Sequence, residues 1–153
     1  MPASDRQTLY QFENAIEAAA KSIIVAIPLN AYRQRDSDTV ATPWAMIQLH
    51  GTRAAGAVHM IGDVGWPSDF EATLAVTIRT NRGQNASSHT NYVGKVREAM
   101  YNLTNWNAVR LPYHTVWSVM ESGTTIGLDQ EERQDITEIS FTIKFLINEA
   151  AWP

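Results

Sequence analysis

The residues that could bind a metal ion or move a proton stand apart from one another in this 153-residue chain. Its four histidines, His50, His59, His89 and His114, form no HxH or HxxxH pair with metal-ligand spacing. His50 and His59 could meet across a hairpin, but two ligands make a poor metal site, so cross-strand packing is the favoured interpretation. Because the chain has no cysteine, thiolate catalysis, disulfides and cysteine-based zinc sites are excluded.

Nucleophilic catalysis and phosphate binding lack their usual sequence patterns as well. No GxSxG elbow is present, and Ser87 and Ser88 before His89 are typical of a helix N-cap rather than of a nucleophile. The segment 51–56, GTRAAG, lacks the GK[ST] ending of a phosphate-binding loop, so its glycines indicate a hairpin turn.

Acidic residues are concentrated in one short segment that contains Asp129, Glu131, Glu132 and Asp135. A catalytic carboxylate pair requires burial that raises one pKa, and a polar connection provides little burial. We therefore interpret the segment as a solvated loop. The sequence predicts no enzymatic activity, no metal and no cofactor, and an enzyme that uses isolated groups such as Glu121 is the least favoured alternative.

The charge and hydropathy of the chain also bear on its partners. The formal net charge is -4, the pI is about 5.5, and no stretch is basic enough for a nucleic-acid footprint. The longest apolar stretch, Ile23 to Leu29, is far shorter than the ~20 residues that span a bilayer. The N-terminus lacks the basic-then-apolar order of a signal peptide. We expect a soluble protein made in the cytoplasm, with no membrane partner.

Hydrophobic periodicity predicts two helices. Ser4 and Gln7 fit a capping box, and Pro28 ends a first helix placed at about 5–25. The apolar face of this helix comprises Leu9, Phe12, Ile16, Ala19, Ala20 and Ile23. A second helix begins after Ser87 or Ser88, and its buried face comprises Tyr92, Val93, Val96, Met100 and Leu103.

The strands are predicted at residues 44–50, 57–61, 70–79, 113–121 and 136–147, and the third and fifth alternate cleanly between apolar and polar residues. The order α-β-β-β-α-β-β predicts an α+β fold, a largely antiparallel sheet of about five strands with both helices packed on one face. Residues 1–153 form a single domain. The two long connections, 28–43 and 122–135, are candidates for reaching neighbouring molecules, although 28–43 could instead contain a short strand or an ordered arm.

The five tryptophans form the most unusual feature of the composition. Trp44 and Trp117 are predicted to lie in the core. Trp66 and Trp152 follow or precede turns, where tryptophan either closes one end of a core or anchors a protein interface. Both interpretations stay open for these two residues.

The stretch from Phe70 to Trp106, FEATLAVTIRTNRGQNASSHTNYVGKVREAMYNLTNW, resembles the tail-terminator proteins of long-tailed bacteriophages, also called tail-completion, minor tail or neck proteins. The similarity continues through 111–114, 121–123 and 136–147. Residues 1–60 resemble these proteins in the order of predicted elements rather than in residue identity, with a leading helix, a long loop and two strands.

This resemblance implies a virion protein that forms a ring, usually a hexamer, at the head-proximal end of the tail tube. The ring would stop tube polymerisation and join the tail to the neck or head-completion protein, while genomic DNA passes through its lumen unread. The implied partners are further copies of the chain, the tail tube protein and the neck protein. The implied location is the virion tail or neck, after assembly in the host bacterial cytoplasm.

The resemblance also gives roles to exposed residues. Candidates for contacts between subunits or with neighbouring rings are Trp66, Trp152, Tyr32, Arg33 and Arg35. The acidic segment with Asp129, Glu131, Glu132 and Asp135 would face the lumen and repel DNA phosphates. Alternatives are another head–tail connector or head-closure ring, or a small-ligand or regulatory binding domain on a helix-backed sheet.

Overall fold

The computed structural model describes residues 12–27, 29–33, 43–54, 60–61, 66–67, 69–82, 86–109, 111 and 114–147. In chain order the elements are α1 (Phe12–Val25), β1 (Asn30–Arg33), β2 (Trp44–Ala54), β3 (Met60–Ile61), β4 (Trp66–Pro67), β5 (Asp69–Asn81), α2 (Ala86–Tyr101), α3 (Leu103–Ala108), β6 (His114–Asp129) and β7 (Gln134–Ile147). The predicted capping box, Pro28, Arg35, His59 and Trp152 lie outside the described residues.

Five strands form one sheet in the order β1-β2-β5-β7-β6, and β3 and β4 form a separate two-stranded ribbon. Only the β1–β2 pair is parallel; the other three pairs of the large sheet are antiparallel. The predicted α+β class with a mostly antiparallel five-stranded sheet is therefore confirmed. Antiparallel neighbours need only short connections, which suits the β6–β7 turn of four residues, 130–133.

The core lies between the helices and one face of the sheet. Alternate residues of β5 and β7 point into it, and a buried face of α1 covers them. At one end the rings of Phe12, Phe70 and Phe145 pack together, with centroid distances of 4.9 Å from Phe12 to each of the others. Buried His114 meets Phe145 edge-on at 5.8 Å, so this histidine belongs to the core.

A third helix, α3, which the sequence did not predict, follows α2. Asn102 is the N-cap of α3, and its side chain accepts a hydrogen bond from the Thr104 backbone N–H at 3.0 Å. Trp106 is buried under this helix, and its indole N–H donates to the Met100 carbonyl at 2.9 Å. Leu103 was predicted to be buried with α2 but is 37% exposed.

Four further sequence predictions need correction. The second helix begins at Ala86, so Ser87 and Ser88 lie in its first turn rather than at its N-cap. The residues from Gly51 to Ala54 belong to β2, and Gly51 follows a bulge in the pairing with β5 rather than forming a turn. Of the predicted strand 57–61, the structure describes two residues, and these pair outside the main sheet.

The largest correction concerns 122–135, which was expected to be a loop. The strand β6 continues to Asp129, paired with β7 over its whole length. The distal part lacks the apolar alternation that marks a half-buried strand, because no helix covers it and its side chains remain in solvent. In contrast, the short strand considered for 28–43 is present as β1.

Candidate functional site: the β6 edge and the open sheet face

None of the three helices in the described part of the chain packs on the second face of the sheet, which we call the open face. It carries the side chains of Trp44, Met46, Glu71, Thr73, Thr77, Ser140, Thr142 and Lys144. Its charged groups are largely paired: Arg53 contacts Glu71 at 3.1 Å, and Arg79 contacts Asp129 at 3.3 Å. The surface therefore presents few unpaired charges, which suits contact with another protein better than binding of an ion.

Exposed apolar side chains are concentrated on β6, an edge strand of the sheet. Of the seven large hydrophobic residues that are exposed in the described part of the chain, four lie on this strand. They are Trp117 (48% exposed), Met120 (62%), Ile126 (80%) and Leu128 (38%). By their register with β7, Ile126 and Leu128 project on the helix side of the distal part of the strand, whereas Trp117 and Met120 project on the open face.

The structure places the two tryptophans predicted for the core elsewhere. Trp117 lies at a bulge between Val116 and Ser118, and it faces outward with the Lys144 ammonium 5.6 Å from its ring centroid. The core prediction for Trp117 is wrong because the bulge interrupts the alternation that would have turned the residue inward. Trp44 is half-buried on the open face, beneath the Arg79 guanidinium at 5.5 Å.

A polar cluster ties β6 to helix α2. Arg97 binds the Glu121 carboxylate through two hydrogen bonds of 3.0 and 2.9 Å, and the Tyr101 hydroxyl donates to it at 2.9 Å. The Thr124 hydroxyl also donates to Glu121. Hydrogen bonds from Arg97 first, then from Thr124, lower the pKa of Glu121 to about 2. A carboxylate that is ionised throughout the physiological range cannot act as a general acid, so this cluster positions β6.

His89 makes a second junction between α2 and the sheet. Its Nδ1 lies 2.8 Å from the Thr80 hydroxyl in β5, and its Nε2 lies 2.8 Å from the Thr137 hydroxyl in β7. Burial lowers the pKa of His89, and the negative charge of Asp135 opposes that effect. Both ring nitrogens are engaged by threonines, so the imidazole serves as a structural bridge rather than as a base.

The four acidic residues singled out in the sequence meet at the β6–β7 turn. Asp129 accepts hydrogen bonds from the Glu131 and Glu132 backbone N–H groups, each at 3.1 Å, and the first of its pKa-lowering contacts is that with Glu132. Glu131 and Glu132 are exposed, whereas Asp135 is half-buried. Asp129 therefore holds the turn together. The charge of the other carboxylates is partly offset by exposed Arg133 in the turn and by Arg82, whose backbone N–H donates to the Arg133 carbonyl at 2.7 Å.

The structure describes only some of the residues that the sequence suggested for contacts between subunits. Tyr32 is half-buried in β1, and Arg33 is bound inside the subunit, where its guanidinium donates to Glu17 at 2.7 and 3.0 Å. The second Glu17 oxygen accepts the Leu49 backbone N–H at 3.1 Å. The backbone of Trp66 lies in β4, but its side chain, like all of Trp152 and Arg35, lies outside the described part.

Sequence reasoning missed three features of this surface: the Arg33–Glu17 ion pair, the Arg97–Glu121 cluster and the exposed apolar side chains on β6. The partners in the two ion pairs lie 16 and 24 residues apart in the chain, so no local spacing indicates them. Within the described residues, no group of three histidine, aspartate or glutamate side chains could hold a metal ion. No helix of that part is long and apolar enough to cross a membrane.

The sequence matches no protein-family model and no curated protein. Among solved structures, 36 chains match the fold. One is a chain of a structure described as the virion of a native gene transfer agent particle, with a TM-score of 0.61 and 11% sequence identity. The match covers 90% of this chain and 98% of that chain. At this identity the comparison shows a common fold: this chain is built like one component of that virion.

Proposed function

We propose that this chain is a structural virion protein that forms a ring at the head-proximal end of a phage tail tube. The observation that carries the proposal is the fold match, which spans 98% of a chain from a virion particle. The resemblance of the Phe70–Trp106 sequence to tail-terminator proteins also supports it. In this role the ring ends tube polymerisation and joins the tail to the neck.

The geometry of the described surface supports a role in protein assembly. The polar groups that could have done chemistry are saturated by neighbours: Glu121 by Arg97, His89 by two threonines, and Glu17 by Arg33. What the described surface offers instead is an edge strand with exposed apolar side chains beside a face whose charged groups are largely paired. Closed rings are built from two different patches that repeat around an axis, and they need surfaces of this type.

The acidic turn has a role in this proposal. DNA that passes through a ring must not adhere to it, and Glu131 and Glu132 project into solvent at one end of the sheet. Facing the lumen, these carboxylates would repel the phosphates and let the genome slide. A ring structure with these side chains on the outer rim contradicts this part of the proposal.

The small-ligand alternative is less well supported. A groove of about 300 Å³ on the open face is lined by polar residues, Gly51, Thr52, Arg53, Glu71, Thr73 and Thr142. Ligand sites are typically concave and mostly apolar, with a few convergent polar groups. This groove has the opposite character, and Arg53 and Glu71 are already bound to each other across it.

The proposal is tested by mixing the purified chain with the tail tube protein of the same particle. Tube lengths are measured by negative-stain electron microscopy, with bovine albumin at equal concentration as the control. We expect shorter tubes, each ending in a ring-shaped density at one end only. Tubes of unchanged length, with no density at either end, would contradict the proposal.

A further inference from the structure

We infer that the distal half of β6, Gly123–Asp129, pairs in antiparallel fashion with strand β1 of a second copy, so that neighbouring subunits share one continuous sheet. The inference rests on the proposed ring and specifies how its subunits meet. Three observations support it: each sheet edge has an unpaired strand in the described chain, the two edge strands lie in the same rows of the sheet, and the side chains that would meet are compatible.

The distal half of β6 is an unprotected edge. In the described chain β6 pairs only with β7, and its register runs without a bulge from Gly123 to Asp129. Every residue from Gly123 to Leu128 is exposed and uncharged, and Asp129 is neutralised by Arg79. Proteins protect free edges with lysine, proline, bulges or a covering loop. The bulges of β6 lie at 116–118 and 121–123, so among the described residues the distal half has none of these devices.

Gly127, which lies in the row of Asn30, supports this pairing, whereas Gly123 adjoins the 121–123 bulge, where glycine is common. A Cβ added to Gly123 or Gly127 would meet no heavy atom within 4 Å. Packing inside the subunit therefore does not require glycine at either position, although glycine weakens a strand. Glycine on a strand is found where another backbone approaches closely, and a neighbouring strand supplies such a backbone.

The opposite edge of the sheet has one short strand available. β1 extends from Asn30 to Arg33, and the charge of Arg33 is neutralised within the subunit by Glu17. Beyond β1, Glu17 already accepts the Leu49 N–H of β2. The Glu17 carboxylate of α1 thus occupies the edge of β2 beyond the end of β1. In the described chain, β1 is therefore the segment of this edge that a partner strand can join.

The two edge strands lie at the same level of the sheet. Following the pairing from strand to strand, Asn30 lies in one row with Trp44, Arg79, Ile136 and Gly127. At the other end of β1, Arg33 lies in one row with Ile47, Val76, Ile139 and Thr124. A copy placed beside the first at equal height therefore sets its β1 against residues 124–127. Contact without an axial offset permits a closed ring when the rotation between neighbours closes, whereas an offset contact gives an open helix.

Direction and side chains are also compatible. β1 and β6 run in opposite directions within the subunit, so equally oriented neighbours would pair them antiparallel. Ile126, 80% exposed, would lie beside Ala31 on the helix side. Val25, 52% exposed at the end of α1 next to β1, would add apolar surface there. On the open side, Tyr32 would lie beside Thr125.

Because the chain has no cysteine, disulfide trapping tests the contact without background. We propose two double variants: Tyr32→Cys with Thr125→Cys, and Ala31→Cys with Ile126→Cys. Their cysteines lie in adjacent rows of the proposed pairing, and antiparallel rows alternate between hydrogen-bonded and non-hydrogen-bonded pairs. One of the two variants therefore places its cysteines in a non-hydrogen-bonded pair, where the Cβ atoms are closer. Within a subunit four strand spacings, about 19 Å, separate the two cysteines. Every disulfide that forms therefore joins two copies.

The matched control is Tyr32→Cys with Met120→Cys. Met120 is exposed on the same face of β6, but its row lies about 13 Å along the strand from that of Thr125. After oxidation at high protein concentration, we expect a ladder of covalent multimers on non-reducing gels for at least one matched pair and none for the control. The absence of a ladder for both matched pairs, or an equal ladder in the control, overturns the inference.

Ring formation is scored separately, by native mass spectrometry of the unmodified chain. A ring without the matched crosslinks overturns the strand pairing and leaves the proposed ring intact. The matched ladder without a closed species supports the pairing and contradicts the ring.

A pair of lysine variants gives a second test. Ile126→Lys should weaken association about tenfold or more at each contact, because it replaces an apolar group that the pairing buries. Met120→Lys, on the same exposed strand, should leave association unchanged. Thermal melting of the dilute subunit should be unaltered in both variants, since both side chains are exposed. Equal weakening by the two substitutions would overturn the assignment.

Discussion

Replacing Glu121 by glutamine removes the charge on which four hydrogen bonds converge, while it keeps the size of the side chain. The pKa of Glu121 lies at about 2 instead of 4.5. At 1.36 kcal/mol per pKa unit, this difference corresponds to about 3 kcal/mol of folding free energy. Solvent screens the interaction because the Arg97 side chain is 37% exposed, so we expect about 1 kcal/mol at pH 7.

The pH dependence distinguishes the charge from other effects of the substitution. A depressed pKa contributes stability that is fully present above the unfolded value and is lost as the pH falls through the folded value. The stability difference between the wild type and Glu121→Gln should therefore be constant above about pH 4.5 and shrink toward pH 2.

The assay is urea unfolding, followed by circular dichroism at several pH values between 7 and 2.5. Glu131→Gln serves as the control, because Glu131 is exposed in the turn and its side chain has no hydrogen-bond partner in the described chain. We expect the control to match the wild type. A Glu121→Gln difference that is absent at pH 7, or that persists unchanged at pH 2.5, would refute the reasoning.

Three further outcomes follow from the described contacts. Trp106→Ala should lower the free energy of unfolding by about 3–5 kcal/mol, because it empties a fully buried site and loses the bond to Met100; a loss below about 1 kcal/mol in urea unfolding would contradict the packing. Because the folded pKa of His89 lies below 6.5, the wild type should lose stability as the pH falls below about 6.5, and His89→Gln should reduce this loss between pH 7.5 and 5. If the free energy of unfolding depends on pH identically in the wild type and in His89→Gln, this prediction for His89 is contradicted. Glu17→Gln should cost about 2 kcal/mol, because it leaves the largely buried Arg33 without its countercharge, whereas exposed Glu98→Gln should cost nothing measurable.

The parts of the fold that the sequence predicts well are those with strong periodicity. In β5 and β7 the alternation of Leu74, Val76 and Ile78 with polar residues reflects one buried and one open face, and the structure confirms both strands. Helix α1 was predicted from the spacing of Phe12, Ile16 and Ile23, all of which are buried in the core.

The parts that the sequence did not predict depend on tertiary contacts. The distal half of β6 is rich in glycine and threonine and lacks apolar alternation, so its sequence is typical of a loop. It is a strand because it pairs with β7. A bulge decides that Trp117 points outward, and bulges leave no clear trace in a single sequence. The internal ion pair of Arg33 with Glu17 could not be inferred, because its partners lie 16 residues apart on β1 and α1 and meet only in the folded subunit.

The most direct test of the central claim is an electron cryomicroscopy map of the head–tail junction in the particle that encodes this chain. The account predicts that copies of the five-stranded sheet, with helices on one face, form one closed ring at the head-proximal end of the tail tube. It also predicts that β6 of each copy adjoins β1 of the next. A junction whose rings all fit other folds, or a map that places this fold away from the tail tube, would contradict the account.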